Sequence, residues 1–444
     1  MLIKLSRNRK LAPVIMVLLF GCGRSQGQPS GEDNSRNSAE KPTTADFMAI
    51  TAPTYRNTSG RQECLGRLVF GVDGKIQWPT FYAGNGNKFA RSFSAKVFNS
   101  GDVMQLGTNE IAVFFAPNAE SKEVVKFDLP SLALKRYEQL LFEAKDFLKK
   151  EQNRKFPSEN YISNLNNRIE NWTKTIIEAK NEYFSFDPGV PGGEGFGYTI
   201  ADGASRVDNY SVYRAYITRG NYIYTFESSK EIVGEYSKEI HAQEFSEFLK
   251  NFRPREENEI PSELGVCIPH GFIRDDGKTL SDIKQSFRMP DAPGVLYTIH
   301  TGSYENSRGS PVLNSISFAS VGGMGTAEDE QVKPFITERI GPKSYKIGGV
   351  SGLQGGVAAK ITEAGKAPYE TYQVFTGYSG WPSAEALPFI FVELNTTTMN
   401  MAPELKQNPP PFKQSMGRYE ALLKSIRLRP TSPPMPDMAG IVGK

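Results

Sequence analysis

Chemistry in a chain needs a nucleophile, an acid–base pair, a metal cage or a phosphate cradle, and most of these have spacings that can be searched for. The three histidines, His241, His270 and His300, show no i, i+4 pair that would set two imidazoles on one helix face for a metal. GFIRDDGKT, Gly271 to Thr279, comes near a phosphate-binding loop, but five residues rather than four separate its first glycine from Gly277, so the cradle is out of register. In GYSGW, Trp381 stands where a hydrolase elbow needs its second glycine after Ser379. PGVPGGEGFGY and SVGGMG are glycine-rich without a strand-to-helix context and read as turns or loops. His270, between Cys267 and an Asp-Gly turn, reads as structural. Acid–base carboxylates need not be near in sequence, so they leave no spacing to test. No catalytic residue, metal ligand or cofactor site is therefore assigned. Tyr378 and Trp381, in a loop of glycine, serine and proline, suit either an exposed interface anchor or a turn packed on its own domain.

The cysteines carry more. Cys22 closes an apolar run, Leu11 to Phe20, of ten residues, half of what a helix needs to cross a bilayer. Lys4, Arg7, Arg9 and Lys10 precede it with no acid among them, which makes residues 1–21 an export signal. Leu19-Phe20-Gly21-Cys22 resembles the lipobox of bacterial lipoproteins, where cleavage before the cysteine is accompanied by acylation. The resemblance implies a periplasmic chain anchored in the membrane through Cys22, and Gly23 rather than Asp after it implies the outer membrane. Two thiols then remain, Cys64 and Cys267, in a compartment that permits disulfides. Either they bridge or each packs as a buried thiol.

Loss of the signal also changes the charge. The chain has 52 basic and 49 acidic residues; removing the four bases of the signal leaves 48 against 49, a nearly neutral mature protein. No concentrated basic run remains to gain from counterion release, so nucleic acid is excluded as a partner. With 444 residues and 39% hydrophobic content the chain can bury a substantial core. Residues 22–59 are rich in Ser, Asn, Gly and Pro and read as a flexible tether, and Pro-rich 431–444 reads as a disordered tail.

The elements that would position any site repeat. Asp73-Gly74-Lys75 follow Cys64, and Asp276-Gly277-Lys278 follow Cys267, at identical distances of nine to eleven residues. Each reads as an apolar strand entering an Asp-Gly hairpin turn. Phe245, Phe248, Leu249 and Phe252 form one helix face at i, i+3, i+4 and i+7, and Tyr419, Leu422, Leu423 and Ile426 form another. Lys250, Arg253 and Arg255 then correspond to Lys424, Arg427 and Arg429, cations placed to suit a helix C-terminus. Two related domains follow, 60–256 and 259–430, joined through PREENEIPSE. The first is longer by about thirty residues between these landmarks, where two stripes occur. One runs Tyr137, Leu140, Leu141, Ala144, Phe147, Leu148; the other, after a cap at Ser158, runs Ile162, Leu165, Ile169, Trp172, Ile176. YSVYRAYI and YIYTFES alternate with period two around TRGN, and FIFVEL reads as a buried strand. The fold class is α+β: two related antiparallel-sheet domains, the first with an inserted helical hairpin.

A lipoprotein signal, CLGRLVF opening one domain, an inserted helical hairpin, and IPSELGVCIPHGFI opening the second together resemble the type VI secretion immunity proteins of the fourth lipase-immunity class. The most specific stretch is Gly265-Val266-Cys267-Ile268. The resemblance implies a two-domain pincer that binds a secreted phospholipase effector in the periplasm and occludes it, with no catalytic residues of its own. An envelope lipoprotein binding module with no toxin partner is the alternative.

Overall fold

The computed structural model describes residues 61–78, 81–83, 89–91, 103–126, 130–201, 208–303, 335–362, 367–380, 387–399 and 405–429. The signal, tether and tail, with Cys22, lie outside the described residues, as does Trp381.

Elements run, in chain order, β1 (Arg61–Leu65), β2 (Leu68–Val72), β3 (Phe81–Ala83), β4 (Phe89–Arg91), β5 (Val103–Leu106) and β6 (Asn109–Phe115). Three helices follow, α1 (Ala119–Val125), α2 (Pro130–Gln152) and α3 (Glu159–Glu182), then β7 (Tyr183–Phe186), β8 (Gly193–Ala201), β9 (Asp208–Arg219) and β10 (Tyr222–Glu231). Next come α4 (Lys238–Lys250), β11 (Phe252–Pro254), β12 (Gly265–Ile268), β13 (Gly271–Arg274), β14 (Ser281–Phe287) and β15 (Val295–Gly302). Last are β16 (Ile336–Ile347), β17 (Val350–Ile361), β18 (Tyr369–Tyr378), β19 (Phe389–Thr396), α5 (Phe412–Ser425) and β20 (Arg427–Leu428). The α+β class holds, and the sheets are dominated by antiparallel pairs.

The chain divides into two compact units. One takes the described residues up to 78, those at 103–107 and those from 253 onward; the other takes 81–91 and 108–252. Thus 61–78, although early in sequence, folds with the second half.

In the first unit an antiparallel sheet runs β16-β17-β18-β19-β15-β14-β5. Helix α5 lies on β16, β18 and β19 and also against β2. Its inward face is Phe412, Tyr419, Leu422 and Leu423 at helical spacing. The buried Tyr419 hydroxyl sits 2.7 Å from the Val392 carbonyl and 2.9 Å from Thr376 Oγ1, so the ring is buried without stranding its polar end. Ile426, the last residue of the predicted stripe, is the C-cap rather than a helical residue, and is fully buried all the same.

The other unit is a meander, β6-β10-β9-β8-β7, with β3 parallel to β6 and β4 paired to β3. Gly220 and Asn221 make the β9–β10 turn where TRGN places it; Gly220 has φ +55°, the left-handed region that glycine enters without a Cβ penalty. Helix α4 packs on β9 through His241, Phe245 and Leu249, with Phe245 stacked on Phe186. The inserted helices are α2 and α3, with Ser158 at the N-cap accepting from the Tyr161 N–H. They meet along a seam that includes Ala144, Leu165 and Ile176, with Tyr137 stacked on Trp172. Phe147, assigned to the inner stripe from sequence, is instead 49% exposed, because the seam is narrower than the stripe.

The duplicated motifs form hairpins, but the Asp-Gly pairs are not their turns. Leu65 faces Leu68 across Gly66-Arg67, and Ile268 faces Gly271 across Pro269-His270. Gly66 and His270 supply the positive φ, each +57°. Asp73-Gly74 and Asp276-Gly277 follow the second strand of each hairpin, and Asp276 Oδ1 accepts from the Lys278 N–H at 2.9 Å, a local Asx turn.

Candidate functional site

Titratable groups gather most densely around the two hairpins. Strand β11, which closes the first half, pairs with β13 of the second half's hairpin; β20, which closes the second half, pairs with β2 of the first half's hairpin. The exchange is reciprocal. At its centre Gly66 and Cys267 trade backbone hydrogen bonds of 2.8 Å in both directions, and Cys64 and Cys267 are joined by a disulfide with Cα atoms 5.8 Å apart. A Cβ on Gly66 would meet Thr301 Cγ2 at 2.8 Å, so bulk as well as φ excludes other residues there.

Arg253, Arg255 and Arg429 end in this region, whereas Arg427 Nη1 donates to the Lys424 and Ile426 carbonyls at the C-terminus of α5, as expected of a cation there. Arg255 and Glu63 pair at 2.5 Å with side chains 1% and 2% exposed, and Arg255 Nη1 also donates to the Glu259 carbonyl. Glu63 accepts from the Cys64 N–H at 2.9 Å. Burial is the larger influence on this carboxyl and raises its pKa above the ordinary value despite the Arg255 guanidinium. Arg67 and Asp275 form a two-pronged pair, at 3.0 Å and 2.5 Å, between the turn of one hairpin and the residue after the other. Arg429 donates to the carbonyls of Pro261, Glu263 and Gly265; burial first, and the Arg67 charge second, lower it to about 10. Arg253 pairs with Glu259 and Glu263. Through Arg255–Glu63, Arg67–Asp275 and the carbonyls that Arg429 holds, this cluster fastens segments far apart in sequence.

The histidines were the other candidates. His241 lies between two hydroxyls, Nδ1 2.7 Å from Ser211 Oγ and Nε2 2.9 Å from Ser228 Oγ, and is completely buried with Ser211. Burial, then Lys230, lowers its pKa to about 4, so it is neutral at ordinary pH. A serine beside a histidine suggests a hydrolase, but a nucleophile must meet its substrate; here the ring ties β9 and β10 to α4. His270 is likewise lowered to about 4, by burial and then by Arg255 and Lys75, and its carbonyl accepts from the Arg255 N–H. It is a structural residue, and it sits in the turn of the hairpin itself rather than ahead of it. His300 Nε2 is 2.5 Å from Asp282 Oδ1 on the partly exposed face of β14 and β15, with Phe389 edge-on to its ring. Lys284 and Glu393 stand 3.8 Å apart on the same sheet. Among the described residues no group of three or more His, Cys, Asp and Glu could hold a metal, and no helix is long and apolar enough to cross a membrane.

Tyr378 ends β18 and is only 4% exposed, which corrects its reading as an exposed anchor: as β18 pairs with β19 it faces Ile390, and the strand buries it. The large exposed apolar groups lie elsewhere, with Phe142, Phe147, Phe156 and Tyr161 on or between α2 and α3. The sequence placed those helices, but not which side of each would remain bare.

Residues 259–431 match the family model described as the Tle cognate immunity protein 4 C-terminal domain. The chain matches no curated protein. Among solved structures, the apo immunity protein TplEi of the T6SS from Pseudomonas aeruginosa aligns over 84% of this chain and 99% of its own, at 17% identity and a TM-score of 0.45. A chain of the Tle4–Tli4 complex aligns over 85% of this chain and 100% of its own, at 15% identity and a TM-score of 0.45. The matched stretch starts in the linker and ends just past β20, so it spans the GVCI strand, strands β14 to β19 and α5.

Proposed function

We propose that this chain is an immunity protein that binds a type VI secreted phospholipase effector in the periplasm, occludes it and so protects the producing cell. The observation that carries the reading is the family match over 259–431. The protein acts by occupancy and catalyses nothing; the burial of His241 together with both serines that it contacts, Ser211 and Ser228, supports this. A lipid on Cys22 holds it in the outer membrane, a reading that rests on the Leu19–Cys22 motif and Gly23. Such an inhibitor must hold a toxin of few necessary turnovers at subnanomolar Kd, about 12 kcal/mol or more.

Titration tests the mechanism. With purified lipase far above the Kd, residual activity falls linearly to zero near one inhibitor per enzyme. Inhibition at a small fraction of equivalence that persists after separation overturns occupancy in favour of a hidden enzyme. Absence of binding to the lipase leaves the envelope binding module as the better account.

A further inference from the structure

The connection between α2 and α3 collects aromatic rings and cations within a few residues. Phe147, Phe156 and Tyr161 are 49%, 83% and 43% exposed. Lys149, Lys150, Arg154 and Lys155 lie among them, all exposed. The carboxylate inside this run, Glu151, is turned inward: its side chain is 3% exposed, accepts from the Ser158 N–H at 3.0 Å and pairs with Arg154 at 3.0 Å. Asp146, which pairs with Lys150, and Glu159 flank the run, so exposed bases outnumber exposed acids by four to two. Each of two rings has its own cation, Lys150 at 5.9 Å from the Phe147 centroid and Lys155 at 5.7 Å from that of Phe156.

Two kinds of surface could receive exposed rings. The centre of a protein interface is depleted of lysine, because its ammonium is costly to dehydrate. A membrane interface favours the combination: rings enter the headgroup–acyl boundary while lysine and arginine stay with the phosphates. The tip is the turn that joins two helices of 23 and 24 residues. From the positive charge and its pairing with aromatic rings we infer that the α2–α3 tip docks on an anionic phospholipid surface. The docking is independent of the effector reading and of any lipid on Cys22. It would orient the protein on the membrane that its anchor merely reaches.

The test uses the chain from Gly23 with Cys22 and the signal removed, which keeps every described element. It is floated with vesicles of phosphatidylglycerol and phosphatidylcholine, or of phosphatidylcholine alone. The chain binds the anionic vesicles and loses that binding as salt rises. Lys149→Gln with Lys155→Gln weakens it by roughly twenty-five-fold, at about fivefold per base. Phe156→Ala weakens it by roughly tenfold. These side chains are exposed, so circular dichroism and the melting midpoint stay near wild type. No binding by wild type, equal binding to neutral vesicles, or binding that ignores all three substitutions overturns the inference. So does a tip variant that floats normally but no longer inhibits the lipase, which would make the tip a protein interface. Failure of the lipase titration with intact flotation would instead sink the effector reading alone.

Discussion

The hairpin cluster around Cys64 and Cys267 and the α2–α3 helical hairpin solve the same problem, holding two segments together, by opposite means. In the helical hairpin the partners are near in sequence and, Glu151 apart, the paired charges sit in water: Asp146 and Lys150, four residues apart, have side chains 45% and 69% exposed. Such a pair contributes at most about half a kcal/mol. In the cluster two pairs, Arg255–Glu63 and Arg67–Asp275, join partners some two hundred residues apart, and their charges are buried; Arg255 and Glu63 are 1% and 2% exposed. Burial makes the pair a poor source of net stability against an apolar alternative, yet makes loss of one partner severe. The surface arrangement tolerates change that the buried one does not.

The largest expected effect is on the covalent link. Cys64→Ala with Cys267→Ala opens a loop of sequence separation 203, and the chain-entropy model puts the cost at about 5 kcal/mol. Urea denaturation of the double variant measures it, and mass spectrometry of unreduced peptides establishes the bridge in the wild type. A shift below about 1 kcal/mol would mean that the exchanged strands hold the hairpins without the bridge.

Next comes the ion pair. Glu63→Ala leaves the Arg255 guanidinium buried without its carboxylate and the Cys64 N–H without its acceptor, for roughly 3–5 kcal/mol. Glu63→Leu with Arg255→Met removes both charges and is expected to cost less than Glu63→Ala alone, although Arg255 also holds the Glu259 carbonyl. If the double change is the worse of the two, the pair stabilises the fold in its own right, and the contrast with the surface pair weakens.

The same contrast explains what could be read from the sequence. Helical periodicity and a capping serine are local signals, so α2, α3 and the Ser158 cap were legible, as were the turn at Gly220-Asn221 and the strand at Phe389–Thr396. The repeat was legible as spacing. Its use was not: Arg255 and Arg429 stand at equivalent offsets after their helices, but no local feature says that each closing strand pairs with the other half's hairpin. Charges at a helix end suit the macrodipole in any fold. Only the exchange turns them inward. The Asp-Gly turns misled for a related reason, since two-residue loops at Gly66-Arg67 and Pro269-His270 had already reversed each chain. Tyr378 shows the limit for sites, because a tyrosine near glycines reads as an exposed anchor or as a turn packed on its own domain, and it is instead the buried end of β18, paired with β19.

The smallest expected effect belongs to the helical hairpin and sets the lower end of the contrast. Ser158→Ala removes the N-cap acceptor of α3, whose contact with the Tyr161 N–H is long at 3.4 Å, so the cost falls near the lower end of the usual range, about 0.5–1 kcal/mol. Two local features limit the loss. Water can replace the hydroxyl at an exposed helix start. The Ser158 N–H meanwhile keeps its bond to Glu151 Oε1, which is made by the backbone and survives the substitution. Denaturation of the variant should therefore shift the midpoint slightly and leave the slope unchanged. A loss above about 2 kcal/mol would show that the connection carries load through Glu151, a buried carboxylate on an otherwise exposed turn. The helical hairpin would then share the fragility of the cluster, and burial of a charge would be the common cause in both regions, wherever its partners stand in sequence.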